Sequence, residues 1–255
     1  MSSRSENITR LDLYNELDEI VSAMKNLAQV ELHRILRAQP LQHAALATCR
    51  SALTASAPQT GLHAPAILLA IGSQRGFCGG FNEQIARLLP AAPARVLLVG
   101  SRLAARVTQG MPGTEVFNGP ATADEILPCA QQLAEAIGSG VLPPINLLAH
   151  AENGPQLVPL WPPLISSAKP APRTYLPAAT LQRGLAQHYL LHAIGHALLL
   201  SLQAENRQRL QQMDAARDHL SQLSQQLLRH MNVLRQQQIV DEIEVILAGQ
   251  DGAYN

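Results

Sequence analysis

Residues 213–234 read MDAARDHLSQLSQQLLRHMNVL, and this stretch decides how the chain folds. Its apolar residues recur at alternating steps of three and four, and His230 occupies the one place in the series that no apolar residue fills. The apolar members are Met213, Ala216, Leu220, Leu223, Leu227 and Leu234. Such heptad spacing predicts a helix that packs lengthwise against another helix. Because residues 181–249 contain no proline, we expect a single helix of roughly 100 Å.

The first residues of the chain offer a partner for this helix. The same spacing recurs at Leu13, Leu17, Ile20, Met24 and Leu27, with Tyr14, Val21 and Ala28 widening the stripe. We expect the first helix to cover residues 11–38, because Pro40 disfavours its continuation. Residues 41–54 have a helical composition and either continue the helical pairing or cap it. Helices from opposite ends of one chain pair most simply as an antiparallel coiled coil, although periodicity alone fits bundle or core helices equally well.

Between the two helices the periodicity becomes that of a sheet. Short apolar runs predict strands at residues 66–71, 95–99, 114–117, 145–149 and 156–160. Helical segments lie between them at residues 82–89, 101–109 and 122–137. The last of these begins with a predicted capping box of Thr122 and Glu125. Strands that alternate with helices predict a small parallel or mixed sheet with helices on its faces.

The predicted fold class is therefore α/β, with an antiparallel coiled coil of the N- and C-terminal helices and an inserted Rossmann-like α/β domain. We expect the N-terminal helix in residues 1–55, the α/β domain in residues 56–180 and the C-terminal helix in residues 181–255. By composition, residues 56–65 form a loop, and the proline-containing residues 164–180 link the α/β domain to the last helix.

The composition excludes several classes of function. The 255-residue chain has 19 basic and 19 acidic residues and a pI of about 7.1, which gives no electrostatic footprint for nucleic acid or an anionic membrane. No apolar run is long enough to span a bilayer, and the N-terminus lacks an apolar signal core. We therefore expect a cytoplasmic protein, with Cys49, Cys78 and Cys129 as free thiols because they lack any metal or redox spacing.

The turn after the first predicted strand raises the question of chemistry. Residues 72–80 read GSQRGFCGG, and glycine-rich turns between a strand and a helix bind phosphates in many nucleotide-binding proteins. This turn lacks a Gly-Lys-Ser/Thr element, and Gly76, Gly79 and Gly80 do not fit the dinucleotide spacing. We therefore expect no nucleotide cofactor at this turn.

Two other patterns for catalytic or metal sites are absent or incomplete. The sequence contains no Gly-x-Ser-x-Gly nucleophile elbow. His188, His192 and His196 are four residues apart and share one helix face, which is a spacing that can hold a metal. However, no glutamate follows His192 as the zinc-protease pattern requires, so solvated or partner-facing histidines explain the spacing better.

Separated motifs occur in a fixed order along the chain. They are IVSAMK at residues 20–25, RGFCGGFN at 75–82, ENRQRLQQM at 205–213 and LRQQQIVDEIEVILAG at 234–249. In these motifs and in their order, the chain resembles the gamma subunit of F-type ATP synthases. The family pattern Ser-Asp-Arg-Gly-Leu-Cys-Gly-Gly-Leu-Asn, which residues 75–82 closely match, is the most specific of them. The resemblance spans nearly the whole chain.

The resemblance implies a mechanical role, as the rotor shaft that couples ion flow to ATP synthesis or hydrolysis. In the family, the coiled coil penetrates a hexamer of alpha and beta subunits, the foot meets epsilon and the membrane c-subunit ring, and catalysis belongs to beta. The resemblance therefore implies that this chain has no catalytic site, metal or cofactor and no nucleic-acid partner. By motif correspondence, the hexamer contacts are Met24, Lys25, Arg235, Gln236 and Glu242. The motif and coupling positions are Arg75, Gly76, Cys78, Gly79, Gly80, Asn82 and Arg209.

The sequence also departs from the family pattern. Val240, Val245 and Gln74 stand where the family has threonine, glutamate and aspartate, and we take these changes as signs of a divergent branch, the alternative sodium-type F-ATPase. The implied location is the cytoplasmic side of a bacterial inner membrane, peripheral through the complex. Two alternatives stay open on sequence alone. A small α/β nucleotide-binding enzyme with a dimerisation stalk would need a pocket at residues 72–80, and a coiled-coil scaffold would form a stable homodimer.

Overall fold

The computed structural model of the protein describes residues 2–54, 66–90, 95–107, 113–151, 153–163 and 175–251. The chain divides into two compact units. The terminal unit comprises Met1–Leu27 and Gln211–Asn255, and the central unit comprises Ala28–Leu210. The predicted loop at residues 56–65 and most of the predicted link, residues 164–174, lie outside the described residues.

Long helices begin and end the described chain, and a sheet with three shorter α-helices and one turn of 3-10 helix (Ala123–Glu125) lies between them in sequence. In chain order the elements are α1 (Ser2–Thr54), β1 (Ile67–Ile71), α2 (Phe81–Arg87), β2 (Arg95–Val99), α3 (Ser101–Val107), β3 (Thr114–Phe117), α4 (Ile126–Ile137), β4 (Ile145–Ala151), β5 (Gly154–Trp161) and α5 (Ala178–Asp251). All five predicted strands are present, with boundaries within two residues of the prediction. The predicted fold class is confirmed.

The sheet of the central unit is mixed. Its strand order is β3-β2-β1-β4-β5, so the first strand in sequence lies in the middle. β1 pairs in parallel with β2 and β4, β2 pairs in parallel with β3, and β5 closes one edge antiparallel to β4. This arrangement confirms the predicted parallel or mixed sheet.

Side chains that alternate along the strands give the sheet two apolar faces. On one face, Leu68 and Ala70 of β1 and Leu98 of β2 pack with Ile85 of α2 and Leu103 of α3. Both faces are covered at β1 and β2, so these strands show continuous apolar runs and no polar alternation.

Three helices contribute to the cluster on the second face. Leu69 of β1 and Ile145 of β4 pack in one cluster with Leu133 of α4, Ile35 of α1 and Ile194 of α5, and all five side chains have no exposed surface. The long helices are thus part of the core of the central unit.

Helix α1 continues through Pro40, so the predicted helix end near residue 38 is wrong. A proline in a helix interior removes a backbone hydrogen bond and costs about 3 kcal/mol. Ile35 and Leu53, on either side of the proline, are at most 1% exposed and join the core cluster. Burial of each such side chain contributes about 1.5–3 kcal/mol, which offsets the loss at Pro40. Of the two alternatives for residues 41–54, continuation of the helix is observed.

In the terminal unit, α1 and α5 run antiparallel. Lys25 Nζ lies 2.6 Å from Asp214 Oδ1, and Arg217 Nε lies 2.9 Å from Asp18 Oδ1. The lower-numbered residue of α1 therefore contacts the higher-numbered residue of α5. This direction agrees with the predicted antiparallel pairing.

The predicted apolar series of α5 is confirmed with one exception. Its half-buried or buried members are Met213, Ala216, Leu220, Leu223, Leu227 and Leu234. His230 is exposed and Met231 is half-buried in its place, so the assignment of His230 to the series is wrong. Helical spacing allows either His230 or Met231 to occupy this place in the packed series. The apolar side chain of Met231 prefers burial more than the imidazole of His230 does.

Most residues of the predicted apolar series of α1 do not lie on the side of the helix that packs against α5. Leu13, Leu17, Ile20 and Leu27 are 49, 38, 56 and 66% exposed, so their prediction as the packed series is wrong. The half-buried side carries Leu11, Tyr14, Asp18, Val21 and Lys25, which also repeat at steps of three and four. The two ion pairs to α5 lie on this side.

The predicted capping box before α4 is also wrong in part. Thr122 makes no capping hydrogen bond through its side chain. The backbone N–H of Ala123 instead donates to the carboxylate of Glu31 on α1, and Glu125 accepts from the N–H of Ala121 at 2.6 Å. A carboxylate from another helix thus replaces the predicted threonine at this helix start, where negative charge is favoured.

Candidate functional site

The turn after β1 is closed by its own side chains. The backbone N–H of Ser73 donates to Asn82 Oδ1 at 2.9 Å, and Asn82 Nδ2 donates to Ser73 Oγ at 2.7 Å. Cys78 Sγ lies 3.3 Å from the same hydroxyl. Since Ser73 has no exposed surface and Asn82 is 5% exposed, these bonds form in a dry environment, where they fix the turn strongly.

Gly72 is required at the start of the turn because α3 approaches it closely. A Cβ at Gly72 would lie 2.3 Å from Leu103 Cβ. Gly100, at the end of β2, has φ 101°, and a Cβ there would lie 2.7 Å from the carbonyl oxygen of Gly72. The turns after β1 and β2 are therefore packed against each other with no room for side chains at these two glycines.

Gln74, one of the departures from the family pattern, joins this turn to two others. Its Oε1 accepts the backbone N–H of Ser101 at 3.1 Å and the backbone N–H of Gly119 at 2.9 Å. Its own carbonyl accepts the hydroxyl of Ser101 at 3.2 Å. The neutral amide therefore connects the segments that follow β1, β2 and β3.

Helix α5 holds the turn from the other side through a buried polar cluster. Arg209 Nε donates to the carbonyl oxygen of Gly76 at 3.3 Å. Arg209 Nη1 donates to Asn206 Oδ1 at 2.8 Å, and Nη2 donates to Glu205. The residues Glu205, Asn206 and Arg209 are 3, 2 and 6% exposed. The structure thus brings the predicted coupling positions Arg75, Gly76 and Arg209 together, although their role stays a prediction.

Glu205 is an additional member of this cluster that the motif comparison did not single out. Burial raises the pKa of its carboxyl group, while Arg209 and the backbone N–H and guanidinium of Arg75 favour the charged form and limit the rise. A carboxyl with these partners can hold the turn in either protonation state, but it favours the proton more than an exposed glutamate does. Its place at the start of the motif at residues 205–213 and its spacing of four residues from Arg209 were the sequence signals that could have indicated it.

The geometry of the turn does not suit a nucleotide phosphate. The backbone N–H groups of Ser73 and Arg75 are already bonded to Asn82 and Glu205. A phosphate needs such amides free to donate to it. These two amides are therefore not free to donate to a phosphate.

The crevice beside this turn, at the carboxyl ends of β1 and β4, contains an aromatic pair. Phe81 and His150 stack with ring centroids 3.9 Å apart, and His150 Nε2 lies 3.0 Å from the carbonyl oxygen of Phe81. Burial lowers the pKa of His150, and the hydrogen bond to Phe81 opposes this shift. Ligands of open α/β sheets often bind at such a switch point, and here protein side chains occupy that place.

Phe77 is the one residue of the turn whose side chain points to solvent while its backbone is strained. It is 67% exposed and has φ 61°, a left-handed conformation that is rare for a bulky residue. The predicted site contains its neighbours Gly76 and Cys78 but not Phe77 itself. Only its apolar character in a glycine-rich turn could have indicated it from sequence.

The predicted hexamer contacts lie in the terminal unit. Met24 is half-buried and Lys25 is paired with Asp214. Arg235, Gln236 and Glu242 are exposed on α5. Within the described residues no ion pair includes these three side chains. They are thus available for contacts outside the chain, and their predicted role stays a prediction.

Arg235 also lines a groove of the terminal unit. The groove has a volume of about 310 Å³ and is lined by Asn7 of α1 together with Arg235, Gln238 and Asp241 of α5. Its walls are mostly polar, which is typical of a surface that contacts a polar partner or water.

His188, His192 and His196 of α5 do not converge on a metal site in the described residues. Among the described residues no group of three or more histidine, cysteine, aspartate or glutamate side chains could hold a metal ion. His196 lies instead with its ring centroid 6.0 Å from that of His43 on α1. Burial, and to a lesser extent His43, lowers the pKa of His196. His188 lines a surface groove beside α4.

The three cysteines are free thiols, as predicted. Cys49 is half-buried, whereas Cys78 and Cys129 are buried. Burial raises the pKa of Cys129 to about 11 and also raises that of Cys78. None of the described helices is long and apolar enough to cross a membrane.

Comparison with known proteins gives a match along almost the whole chain. A family model described as ATP synthase matches residues 5–252. The fold is similar to a chain of the Euglena gracilis mitochondrial ATP synthase rotor in rotational state 1, with 14% identity, 93% of this chain and 99% of that chain covered, and a TM-score of 0.64. A chain of the same organism's OSCP/F1/c-ring assembly in rotational state 3 has 12% identity, coverage of 98% and 94%, and a TM-score of 0.66. No curated protein matches the sequence.

Proposed function

The chain belongs to the gamma-subunit family of ATP synthases, and we propose that it engages a catalytic alpha/beta hexamer through Met24, Lys25, Arg235, Gln236 and Glu242. As a member of this family it is the central rotor shaft that couples ion flow through the membrane ring to ATP synthesis or hydrolysis. The observation that carries this conclusion is the family match over residues 5–252.

The physical basis of the coupling is asymmetry. Three chemically identical catalytic sites around one shaft meet three different faces of it at any moment. Contacts that differ between the sites favour different conformations, so nucleotide binding or release at one site biases rotation of the shaft. The exposed side chains of Arg235, Gln236 and Glu242 support a role in these contacts, because charged and amide groups can form different hydrogen bonds at each position.

The remaining motif positions have a second proposed role. The cluster of Glu205 and Arg209 ties the turn at Arg75 and Gly76 to helix α5 within the central unit. Coupling requires that rotation of the sheet be passed to the helix without local slippage. We assign this task to Arg75, Gly76 and Arg209. The other motif residues fix the conformation of the turn; they are Cys78, Gly79, Gly80 and Asn82.

The family supports a proposal for the partners and the location. The chain is part of an ATPase complex, and we propose that it has no catalytic site of its own and binds no cofactor. Its proposed partners are alpha and beta subunits, an epsilon subunit and a c-subunit ring. The proposed setting is the cytoplasmic side of a bacterial membrane, with a proton- or sodium-coupled ring. The changes to Val240 and Val245 support a divergent, sodium-type branch.

The test of the proposed contacts is the double variant Arg235→Ala with Gln236→Ala in an assembled complex. We expect coupled ATP synthesis by membrane vesicles to fall, because truncation of a charged interface group that is desolvated typically costs about 2–5 kcal/mol. The matched control is Arg229→Ala, which removes the same charge from an exposed position of the same helix. Synthesis that is unchanged in the double variant, or equally reduced in the control, would overturn the assignment.

A further inference from the structure

Two histidine rings face each other where α1 packs on α5 in the central unit. The ring centroids of His43 and His196 are 6.0 Å apart, and the ring planes are inclined by 63°. His43 is exposed, whereas His196 is half-buried. The Nδ1 atom of His196 is buried and has no hydrogen-bond partner among the described residues. Buried polar atoms of native proteins are normally bonded, so this atom needs an explanation.

The two helices approach each other closely beside these rings. Gln42 Nε2 donates to the carbonyl oxygen of His192 at 3.1 Å, which joins α1 to α5. A Cβ at Gly195 would lie 2.7 Å from the same Nε2 atom, so only glycine allows this approach. Leu46 of α1 packs against the core cluster of the central unit. Because the contact is this close, a force that separates the two rings acts on the packing of α1 against α5.

Protonation changes what the ring of His196 requires. A neutral imidazole has one N–H group and one bare nitrogen, so Nδ1 can stay unprotonated in its buried place. An imidazolium has two N–H donors, so the buried Nδ1 would become a donor without an acceptor. Protonation of His43 as well would bring two positive rings together. In agreement with this chemistry, burial and then His43 lower the pKa of His196.

The other ionisable groups near this contact do not offset a positive charge on His196. In the described part of the chain, no acidic group is paired with His196 or acts on its pKa. Arg50, seven residues after His43 on α1, acts on a tyrosine of α5. On α4, Cys129 precedes an alanine that lies near Gly195, and it stays neutral because its pKa is raised to about 11.

We propose that His43 and His196 form an acid-sensitive contact between α1 and α5. With both rings neutral, α1 packs on α5 as the structure shows. At mildly acidic pH the rings take up protons and repel each other, and residues 41–54 of α1 loosen from α5. The contact goes beyond the proposed function and is independent of it, because both histidines belong to one chain.

The test measures amide hydrogen exchange of residues 41–54 in the full chain at pH 8 and pH 5, corrected for the intrinsic pH dependence of exchange. The lowered pKa of His196 makes its contribution to stability fully present above about pH 6.5, and this contribution is lost as pH falls toward the folded pKa. We expect the protection of these residues to fall on the order of tenfold at pH 5. His196→Gln, which takes up no proton, should show equal protection at both pH values.

The matched control is His33→Gln, because His33 is an exposed histidine of the same helix that bonds the carbonyl of Gln29. This variant should keep the full loss of protection at pH 5. Equal protection of the unaltered chain at both pH values would overturn the inference. So would a loss of protection that persists in His196→Gln.

A second readout does not need the His196 variant to fold. Proton NMR of the full chain follows the ring of His196 during a pH titration. Its midpoint should lie below 6.5 in the unaltered chain, and His43→Gln should raise it because a neighbouring positive charge is removed. A midpoint that is the same in both chains would overturn the pairing of the two rings. Failure of the chain to activate a hexamer would overturn the proposed function and leave this contact standing.

Discussion

Replacement of Arg209 by methionine should destabilise the central unit by about 3–5 kcal/mol at neutral pH, because it leaves the carboxylate of Glu205 buried without its charged partner. The change removes three hydrogen bonds, to Glu205, to Asn206 at 2.8 Å and to Gly76 at 3.3 Å. Hydrogen bonds to charged groups each contribute about 1.5–3 kcal/mol. The expected destabilisation of about 3–5 kcal/mol is therefore smaller than the full loss of three such bonds, because other contacts compensate for part of it.

The effect should depend on pH with a definite sign. Burial raises the pKa of Glu205 above 4.5, so the folded state binds the proton more tightly than the unfolded state. The contribution of this group to stability is therefore fully present below its unfolded pKa and is lost as pH rises through its folded pKa. Without Arg209 the carboxyl should take up a proton more readily. The loss in Arg209→Met should thus be smaller at pH 5 than at pH 8.

Urea unfolding followed by tryptophan fluorescence measures this directly. The chain has one tryptophan, and Trp161 is 2% exposed in β5 of the central unit, so it reports on that unit. With an m-value of about 3 kcal/mol/M, the midpoint at pH 8 should fall by about 1 M or more. The double variant Arg209→Met with Glu205→Leu should recover about 2 kcal/mol. If the losses of stability from Arg209→Met and Glu205→Leu were additive in the double variant, the account of the buried cluster would be refuted. The same holds if Arg209→Met lost equal stability at pH 5 and pH 8.

Three further outcomes follow from the structure. Gly72→Ala should lower stability by about 3 kcal/mol or more, because its Cβ would lie 2.3 Å from Leu103 Cβ; a urea midpoint within 0.3 M of the original, about 1 kcal/mol, would contradict this. Burial lowers the pKa of His150 below 6.5, so stability should decline as pH falls below about 6.5, and His150→Gln should reduce that decline; an identical pH profile would contradict the assignment. The Cys129 thiol, with its pKa raised to about 11, should react with a thiol reagent at pH 8 only as the chain unfolds; rapid labelling of the folded chain would contradict its burial.

The elements that the sequence predicts well are those in which one local signal dominates. Strands β1 and β2 are buried on both faces, so their apolar runs stand out from the flanking glycines and prolines. The series from Met213 to Leu234 has a single apolar side, so its packed face was evident. The RGFCGGFN motif likewise located the turn at residues 75–82, which the structure shows to be a closed and buried element.

The errors arise where distant residues choose between local alternatives. Helix α1 carries two stripes with heptad spacing, and the stripe that packs holds fewer leucines and contains Asp18 and Lys25, which pair with residues of α5. No local pattern contains those partners. Pro40 was given its usual weight as a helix breaker, whereas the packing of Ile35 and Leu53 on the sheet keeps the helix intact.

The candidate site shows the same division between local and distant signals. Arg209 and the turn were each found from their motifs, but the bond between Arg209 and Gly76 joins residues 133 positions apart. The exposure and the left-handed backbone of Phe77 could not be read from its neighbours in sequence. Sequence thus identified the parts, and only the three-dimensional contacts identified how they are connected.

The central claim is that this chain turns within a hexamer as a rotor. The most direct measurement attaches alpha/beta hexamers to a surface, assembles them with the full chain carrying a bead on its central unit, and records the bead in a single-molecule rotation assay with ATP. The account predicts stepwise rotation in one direction that stops when ATP is removed. ATP hydrolysis at full rate by hexamers whose firmly bound chain stays still would contradict it.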